Sequence, residues 1–399
     1  MKILQISPQF PYPPTDGGKI GIWKIYKKLA EFGADIDFLA ITDEKPAPEA
    51  LAEFGQWGKP YFAEKNTRNT LPKIALSMFR RSPMFMTRYY DRNVAKTIKE
   101  LLRRNKYDVI HADHSSMAPL ALFAAEVQDI PKGLRLHNIE WMIWKRYANN
   151  LKSGPRRSYL NRQAELLKTA ERDLYPQMDV CFAITDKERE RALELAPEAN
   201  VVVASAGVNM DEWSPEAGIN RNPGELAIAT NFNWIHNVDG LRWFIDEVLT
   251  RVRPKVPGVR LSVMGTNTPQ WLADYEYLGV RNEGFVDRVQ PYLSRASIYI
   301  APLFVGAGIR IKILEAMAME MPVVATSVSA EGITAGEKDG LFTSDDPVRT
   351  AEYIIGLSNN PDLARKAGRS AREFVAKNYT WDRQVHVIYD EYRRLSGRD

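Results

Sequence analysis

The chain has 399 residues, 45% hydrophobic and 26% charged, with a formal net charge of +4 and a single cysteine, Cys181. This composition excludes a disordered or low-complexity chain and a disulfide framework, and it sets a reducing, cytoplasmic compartment as the expectation. The opening MKILQIS runs straight into a strand pattern with no apolar signal segment, and no window approaches the roughly 18 apolar residues of a membrane span. The length admits two domains, each with its own core.

Charge is unevenly spread, with 32 Lys and Arg against 25 Asp and Glu up to Ser205, and 22 against 25 beyond it. The basic, aromatic-laced first half suits an anionic membrane face or an acidic partner. No nucleic-acid motif accompanies the charge, so no nucleic-acid partner is expected.

Apolar runs at Ile3–Ile6, Ile36–Ile41, Asp108–Ala112, Leu134–Leu136, Val180–Ile184 and Val201–Ala204 predict strands that alternate with helical segments. Such alternation predicts a parallel sheet covered on both faces. Cys181, inside VCFAIT, reads as core filler. Ala206–Pro215 (AGVNMDEWSP) carries Gly, Asn and Pro without periodicity and reads as an interdomain linker. A second strand set follows at Leu226–Thr230, Arg260–Met264, near Gly284–Val286, Ile298–Ala301 and Val323–Thr326. The fold class is therefore α/β with two Rossmann-like sheets, over residues 1–206 and 207–380. After Leu341 the pattern is helical: Pro347–Leu357, Pro361–Lys377 and an amphipathic helix from Trp381, for which no third sheet remains. The segment 381–399 is expected to cross back onto the first domain.

The stretch Ser297–Gly332 carries the most chemistry. Ser297–Pro302 predicts a buried strand, Gly306-Ala307-Gly308 a tight loop, and Ile309–Met319 a helix whose first turn holds Arg310 and Lys312. Cations are unfavourable at the positive end of a helix dipole unless an anion sits beside them, and a glycine loop leaves free N–H groups there. A bound phosphate satisfies both conditions. Lys312 pairing with Glu315, three residues on, is the competing assignment for that lysine. Glu315 lies among Ile311, Ile313, Leu314, Ala316 and Ala318, and a buried carboxylate needs a partner; the vicinal hydroxyls of a ribose would serve.

Other polar constellations carry less. Asp35-Ile-Asp37 has a metal-binding spacing but opens a strand after a helix, which is ordinary turn chemistry. His111-Ala-Asp-His114 offers two histidines with no further metal ligand, and is assigned to a loop or acceptor cleft. Asp345-Asp346 precedes a helix as a cap. Glu140–Tyr175, with Trp141, Trp144, Tyr147 and eight Lys or Arg, suits either a membrane or anionic acceptor, or a solvated helical face.

Taken together, APLFVGAGIRIKILEAMAMEMPVVATSVSAEG, GFVDRVQPYL (Gly284–Leu293), GVNMDEWSP, Asp16-Gly17-Gly18 and Tyr379-Thr380-Trp381 resemble the retaining GT-B glycosyltransferases, a superfamily that includes sucrose synthase. The resemblance spans nearly the whole chain and implies two Rossmann-like domains, an interdomain cleft and a C-terminal helix crossing to the first domain. It implies a nucleoside diphosphate sugar, UDP- or GDP-linked, held mainly by the second domain, with no metal and no further cofactor. Glu315 then matches the ribose-binding glutamate, Gly306, Ala307, Gly308 and Ile309 the backbone facing sugar and diphosphate, and Val286 and Asp287 the base loop. Asn231 falls in the donor-binding loop after the first strand of the second domain. Gly17 and Gly18 match a glycine-rich loop approaching diphosphate and acceptor, and His137 a histidine facing the donor sugar.

The chain departs from the family pattern in three places. Ala307 stands where a second, sugar-contacting glutamate is usual, and Asn231-Phe-Asn-Trp-Ile-His-Asn237 lacks the usual Arg and Lys. Asn138 follows His137 where many relatives have Asp. Arg310 and Lys312 are the replacements for the missing diphosphate cations and, with His137, the expected catalytic groups. The resemblance implies glycosyl transfer with retention onto a glycan or lipid-linked acceptor, in cell-surface polysaccharide or lipopolysaccharide synthesis at the inner membrane face. A nucleotide-sugar 2-epimerase and a non-catalytic sugar-binding protein are the alternatives; the first needs an acid/base set not located here, the second needs no diphosphate site.

Overall fold

The computed structural model describes residues 1–399 apart from positions 44, 45, 69, 71, 72, 75, 76, 79, 80, 307 and 399. The chain separates into two compact units, Met1–Ser205 with Gln384–Asp399, and Ala206–Arg383.

The first unit holds β1 (Lys2–Ser7), β2 (Asp35–Ile41), β3 (Lys59–Ala63), β4 (Val109–Asp113), β5 (Lys132–Leu136), β6 (Val180–Ala183) and β7 (Val201–Val203). They form one sheet in the order β3-β2-β1-β4-β5-β6-β7, each pair parallel. Runs such as Ile3, Leu4 and Ile6, or Phe38, Leu39 and Ala40, are fully buried because helices cover both faces. β3, KPYFA, escapes the sequence reading because it is a half-exposed edge strand opened by a lysine and a proline.

The second unit holds β8 (Asn222–Ala229), β9 (Arg260–Met264), β10 (Val280–Gly284), β11 (Ala296–Ala301), β12 (Val323–Ala325) and β13 (Leu341–Thr343). Their order is β10-β9-β8-β11-β12-β13, again parallel. The strand expected near Gly284–Val286 lies earlier, at VRNEG, a polar edge strand without apolar signal, which leaves Val286 in the following loop. β13, three residues long, was likewise not predicted.

In each sheet the order reverses once, between β1 and β4 and between β8 and β11. Loops leaving the carboxyl ends of those neighbours diverge to opposite faces and open a crevice, the usual ligand position in such sheets.

The last helix spans Trp381–Leu395, and its residues from Gln384 belong to the first unit. Tyr392 lies over Gly133 of β5, where an added Cβ would come within 2.3 Å of the tyrosine oxygen. Its hydroxyl is 2.5 Å from His111 Nδ1, and Gln384 Oε1 accepts the Ser205 N–H at 2.7 Å.

His111 is thus not a loop residue. It is fully buried in β4, with Nε2 3.1 Å from Asp113 Oδ1. Asp35 pairs with Lys2 at 2.9 Å, and Asp37, buried, accepts from the Tyr107 hydroxyl at 2.6 Å, so both serve the sheet. Asp346 caps the helix Pro347–Asn359 by accepting from Arg349 N–H at 3.0 Å. Cys181 is fully buried. Among the described residues no helix is long and apolar enough to cross a membrane.

Candidate functional site

In the second unit the site is built on the loop after β11. Thr326 Oγ1 donates to the Leu303 carbonyl, and Leu303 N–H donates to Ser329 Oγ at 2.9 Å, anchoring the start of the loop. Gly308 has φ +75°, a conformation that residues with a Cβ rarely adopt. Gly306, with φ +155°, is held outside the range of ordinary side chains as well, and the Arg310 guanidinium folds back over it, 1.8 Å from where a Cβ would stand. Ala307 lies outside the described residues.

The helix runs Ile311–Ala318, shorter than the expected Ile309–Met319. Arg310 is its N-cap, with φ −90° and ψ 93°, and so does not sit in the first turn as expected; Ile309 belongs to the loop. The glycines let the chain turn late, and the helix starts where its apolar positions begin. The N-cap side chain makes no capping hydrogen bond and the first turn carries no acid, so among the described residues no side chain is seen to cap the leading N–H groups. Burial lowers the pKa of Arg310, opposed by the charge of Glu331, and the guanidinium stays cationic.

Lys312 Nζ lies 3.0 Å from Glu315 Oε2, so the i,i+3 pair considered from the sequence is formed. The ammonium also sits 5.4 Å from the Trp213 ring centroid. Glu315 is 6% exposed, whereas the Lys312 side chain is 52% exposed, so the lysine remains open to a ligand.

Asn231, just past β8, is an organiser of its own loop. Its Oδ1 accepts from Asn233 N–H at 2.9 Å and Thr266 Oγ1 at 2.8 Å, and its carbonyl accepts from Asn237 Nδ2 at 2.7 Å. Val286 and Asp287 follow β10, the first half-buried against the core and the second exposed. Asn231 and the Gly306–Arg310 segment follow the two strands between which the sheet order reverses.

In the first unit, Gly17 and Gly18 are not a loop. They open the helix Gly17–Glu31, capped by Asp16, whose Oδ1 accepts from Lys19 N–H at 3.0 Å. Without side chains they still leave the first helical N–H groups uncovered. His137 follows β5 directly, and its Nε2 is buried and makes no hydrogen bond with the described residues. Burial, with Arg135 nearby, pushes its pKa down to about 4, so it is neutral at physiological pH.

Beside His137 lies a polar group of which the sequence reading singled out only His114, as a loop or acceptor-cleft residue. His114 and His137 have ring centroids 5.3 Å apart, and His114 Nε2 is 3.4 Å from Glu140 Oε1. Glu140 is 6% exposed and Glu171 fully buried. Glu171 accepts the N–H groups of Glu140 and Trp141, each at 3.1 Å, and so caps the helix Glu140–Asn149, which has no cap of its own. The only sequence signal was a glutamate in the apolar context HNIEWM; its partner is 31 residues away.

This pair of switch-point sites, on two parallel doubly wound sheets, defines a two-domain α/β protein of the GT-B class. The family described as Glycosyltransferase Family 4 matches residues 15–212, and that described as Glycosyl transferases group 1 matches residues 225–360. The chain belongs to the GT-B glycosyltransferase superfamily.

It is similar to an uncharacterized 44.6 kDa protein in the cps region of Klebsiella pneumoniae, 23% identical over 402 residues, covering 98% of this chain and 99% of that protein. In fold it matches sucrose-phosphate synthase from Thermosynechococcus elongatus, with a TM-score of 0.72 and 15% identity over 100% of both chains. Anabaena HepE, solved in complex with UDP, matches with a TM-score of 0.68 and 13% identity over 98% of this chain and 99% of that one.

Proposed function

We propose that this glycosyltransferase moves a glycosyl group, with retention of anomeric configuration, from a nucleoside diphosphate sugar to a hydroxyl of a glycan or lipid-linked acceptor. The observation that carries this reading is the Gly306–Glu315 segment: a glycine loop, a half-buried cation on it, an uncapped helix start and a buried carboxylate one turn on.

Departure of the nucleoside diphosphate develops negative charge on phosphate oxygens. Arg310, Lys312 and the leading N–H groups of the helix Ile311–Ala318 are placed to receive it, with no divalent ion required of them. Glu315 accepts the ribose hydroxyls, and its partner Lys312 turns from that carboxylate toward phosphate when the nucleotide enters. Asn231, Val286 and Asp287 complete the donor side. In the first unit, Gly17 and Gly18 present backbone N–H groups, and neutral His137 meets the sugar without adding charge beside an oxocarbenium-like centre.

The 44.6 kDa relative's place in a cps region supports a role in surface polysaccharide synthesis, and UDP in HepE supports a uridine nucleotide. The test is thermal shift against UDP, GDP and ADP, followed by NMR of the product's anomeric centre and activity in EDTA. Stabilisation by one diphosphate, a retained anomer and an unchanged rate in EDTA are expected. An inverted product, or no stabilisation by any of the three, would overturn the reading.

A further inference from the structure

We propose that His114 and Glu140 form a proton-holding pair that positions His137, Glu140 as a carboxylic acid and His114 as the Nε2–H imidazole. The inference rests on the proposed transfer reaction, in which His137 faces the sugar.

His114 stands just past the end of β4 with φ +91° and ψ 142°, a backbone conformation strained for any residue with a Cβ. Nδ1 accepts from Ser116 N–H at 3.4 Å and lies 3.2 Å from Ser116 Oγ. A backbone N–H can only donate, so Nδ1 carries the lone pair and the neutral ring keeps its proton on Nε2. Nε2 faces the Glu140 carboxyl at ion-pair distance, 3.4 Å from Oε1. Phe85 covers the ring at 5.1 Å, and His137 lies on it at 5.3 Å with 33° between planes.

Glu140 also lies within electrostatic reach of a second buried carboxyl, Glu171. Glu171 takes two backbone N–H donors at a helix start, so of the two it holds the negative charge and Glu140 the proton. Burial, then the Glu171 charge, pushes Glu140 up to about 8, with Asn138 and Arg88 opposing and Glu188 adding to the rise. His114 is held down to about 3 by burial, then by His137 and Arg88, with Asp113 opposing. His137 feels Arg135 and His111 against Asp113 and Asp16. With Glu140 protonated, His114 keeps its tautomer and its ring plane, and His137 keeps a neutral neighbour. Loss of the Glu140 proton puts a negative charge 3.4 Å from His114 Nε2 and changes the field on the ring that lies against His137.

The full chain has five histidines, few enough to resolve by NMR of 15N-histidine-labelled protein. The expected result is an Nε2–H tautomer at His114 at pH 7, with a change in its nitrogen shifts as pH rises through about 8 that is missing in Glu140→Gln. An Nδ1–H tautomer, or the same change in Glu140→Gln, would overturn the pairing. Release of UDP from UDP-glucose is followed in parallel. Glu140→Ala should lose roughly tenfold or more in kcat at pH 7 with KM little changed, and Glu140→Gln should restore it and keep its rate above pH 8, where the native chain slows. Identical pH profiles for the native chain and Glu140→Gln would overturn the positioning role. A native chain that releases no UDP counts against the transferase reading instead, and the NMR result then decides the pairing without any donor.

Discussion

Lys312 Nζ lies 3.0 Å from Glu315 Oε2, so the cation expected to clamp a diphosphate is already in contact with the carboxylate expected to hold a ribose. The pair orients both groups before any ligand arrives. It also ranks the two cations. Arg310 is half-buried and folded over Gly306, whereas the Lys312 side chain is 52% exposed. Desolvated, preorganised charge stabilises a leaving phosphate more than mobile, hydrated charge does.

Arg310→Ala is accordingly expected to lower turnover by roughly 10²-fold or more, and Lys312→Ala by a smaller factor of roughly tenfold. Glu315→Gln should weaken nucleoside diphosphate binding by roughly 1–3 kcal/mol while leaving inorganic pyrophosphate binding in place. Steady-state kinetics and calorimetric titration check all three, with circular dichroism reporting the fold. Near-native turnover in both cation variants would remove the helix start from the mechanism.

Stability should depend on pH through the half-buried His114 and His137 and the buried Glu140 and Glu171. His114 and His137 titrate at about 3 and about 4, below their ordinary value of 6.5, so the unfolded chain binds their protons better and stability falls on acidification through that window. Glu140 and Glu171 are raised by burial to about 8 and about 7 from 4.5, so the folded chain binds their protons better and stability falls as pH rises from 4.5 toward 8. Between about pH 4.5 and 6.5 the two effects oppose one another, which places the maximum there. Urea unfolding across pH 4–9 checks this, and Glu140→Gln should flatten the alkaline limb by a few kcal/mol at most. A maximum above pH 8 would contradict it.

The contact of Tyr392 with Gly133 predicts the behaviour of the last helix. Gly133→Ala places a Cβ 2.3 Å from the oxygen of the fully buried Tyr392 and should destabilise by roughly 1–3 kcal/mol. Tyr392→Phe leaves His111 Nδ1 without its 2.5 Å partner and should cost about 1–2 kcal/mol. Denaturant midpoints for both variants test this; unchanged values would mean the helix does not support the sheet.

Much of this architecture was legible in order along the chain. Buried parallel strands such as Ile3–Ile6 and Val180–Ala183 announce themselves as short apolar runs, because both faces of the sheet are covered. The strands missed or misplaced, Lys59–Ala63, Val280–Gly284 and Leu341–Thr343, are edge strands or very short ones, with half their surface in solvent and no apolar run to read. Arg310, Lys312 and Glu315 were legible because a helix start, a glycine loop and a buried acid are local features within ten residues of one another.

Alone, the sequence determined the two-sheet α/β plan, the glycine loop feeding a short helix, and the identity of the residues on it. Those properties follow from periodicity and turn chemistry, which act over a few neighbouring residues. Only the tertiary structure decided that Arg310 caps the helix and lies over Gly306, that Gly17 and Gly18 open a helix, and that His111 is sealed under Tyr392. It also decided that Glu171 caps the helix beginning at Glu140 and that Glu140 lies 3.4 Å from His114. Hydrogen bonds and desolvation join residues 31 to 281 positions apart, and a linear pattern carries no record of such distances until the chain has folded.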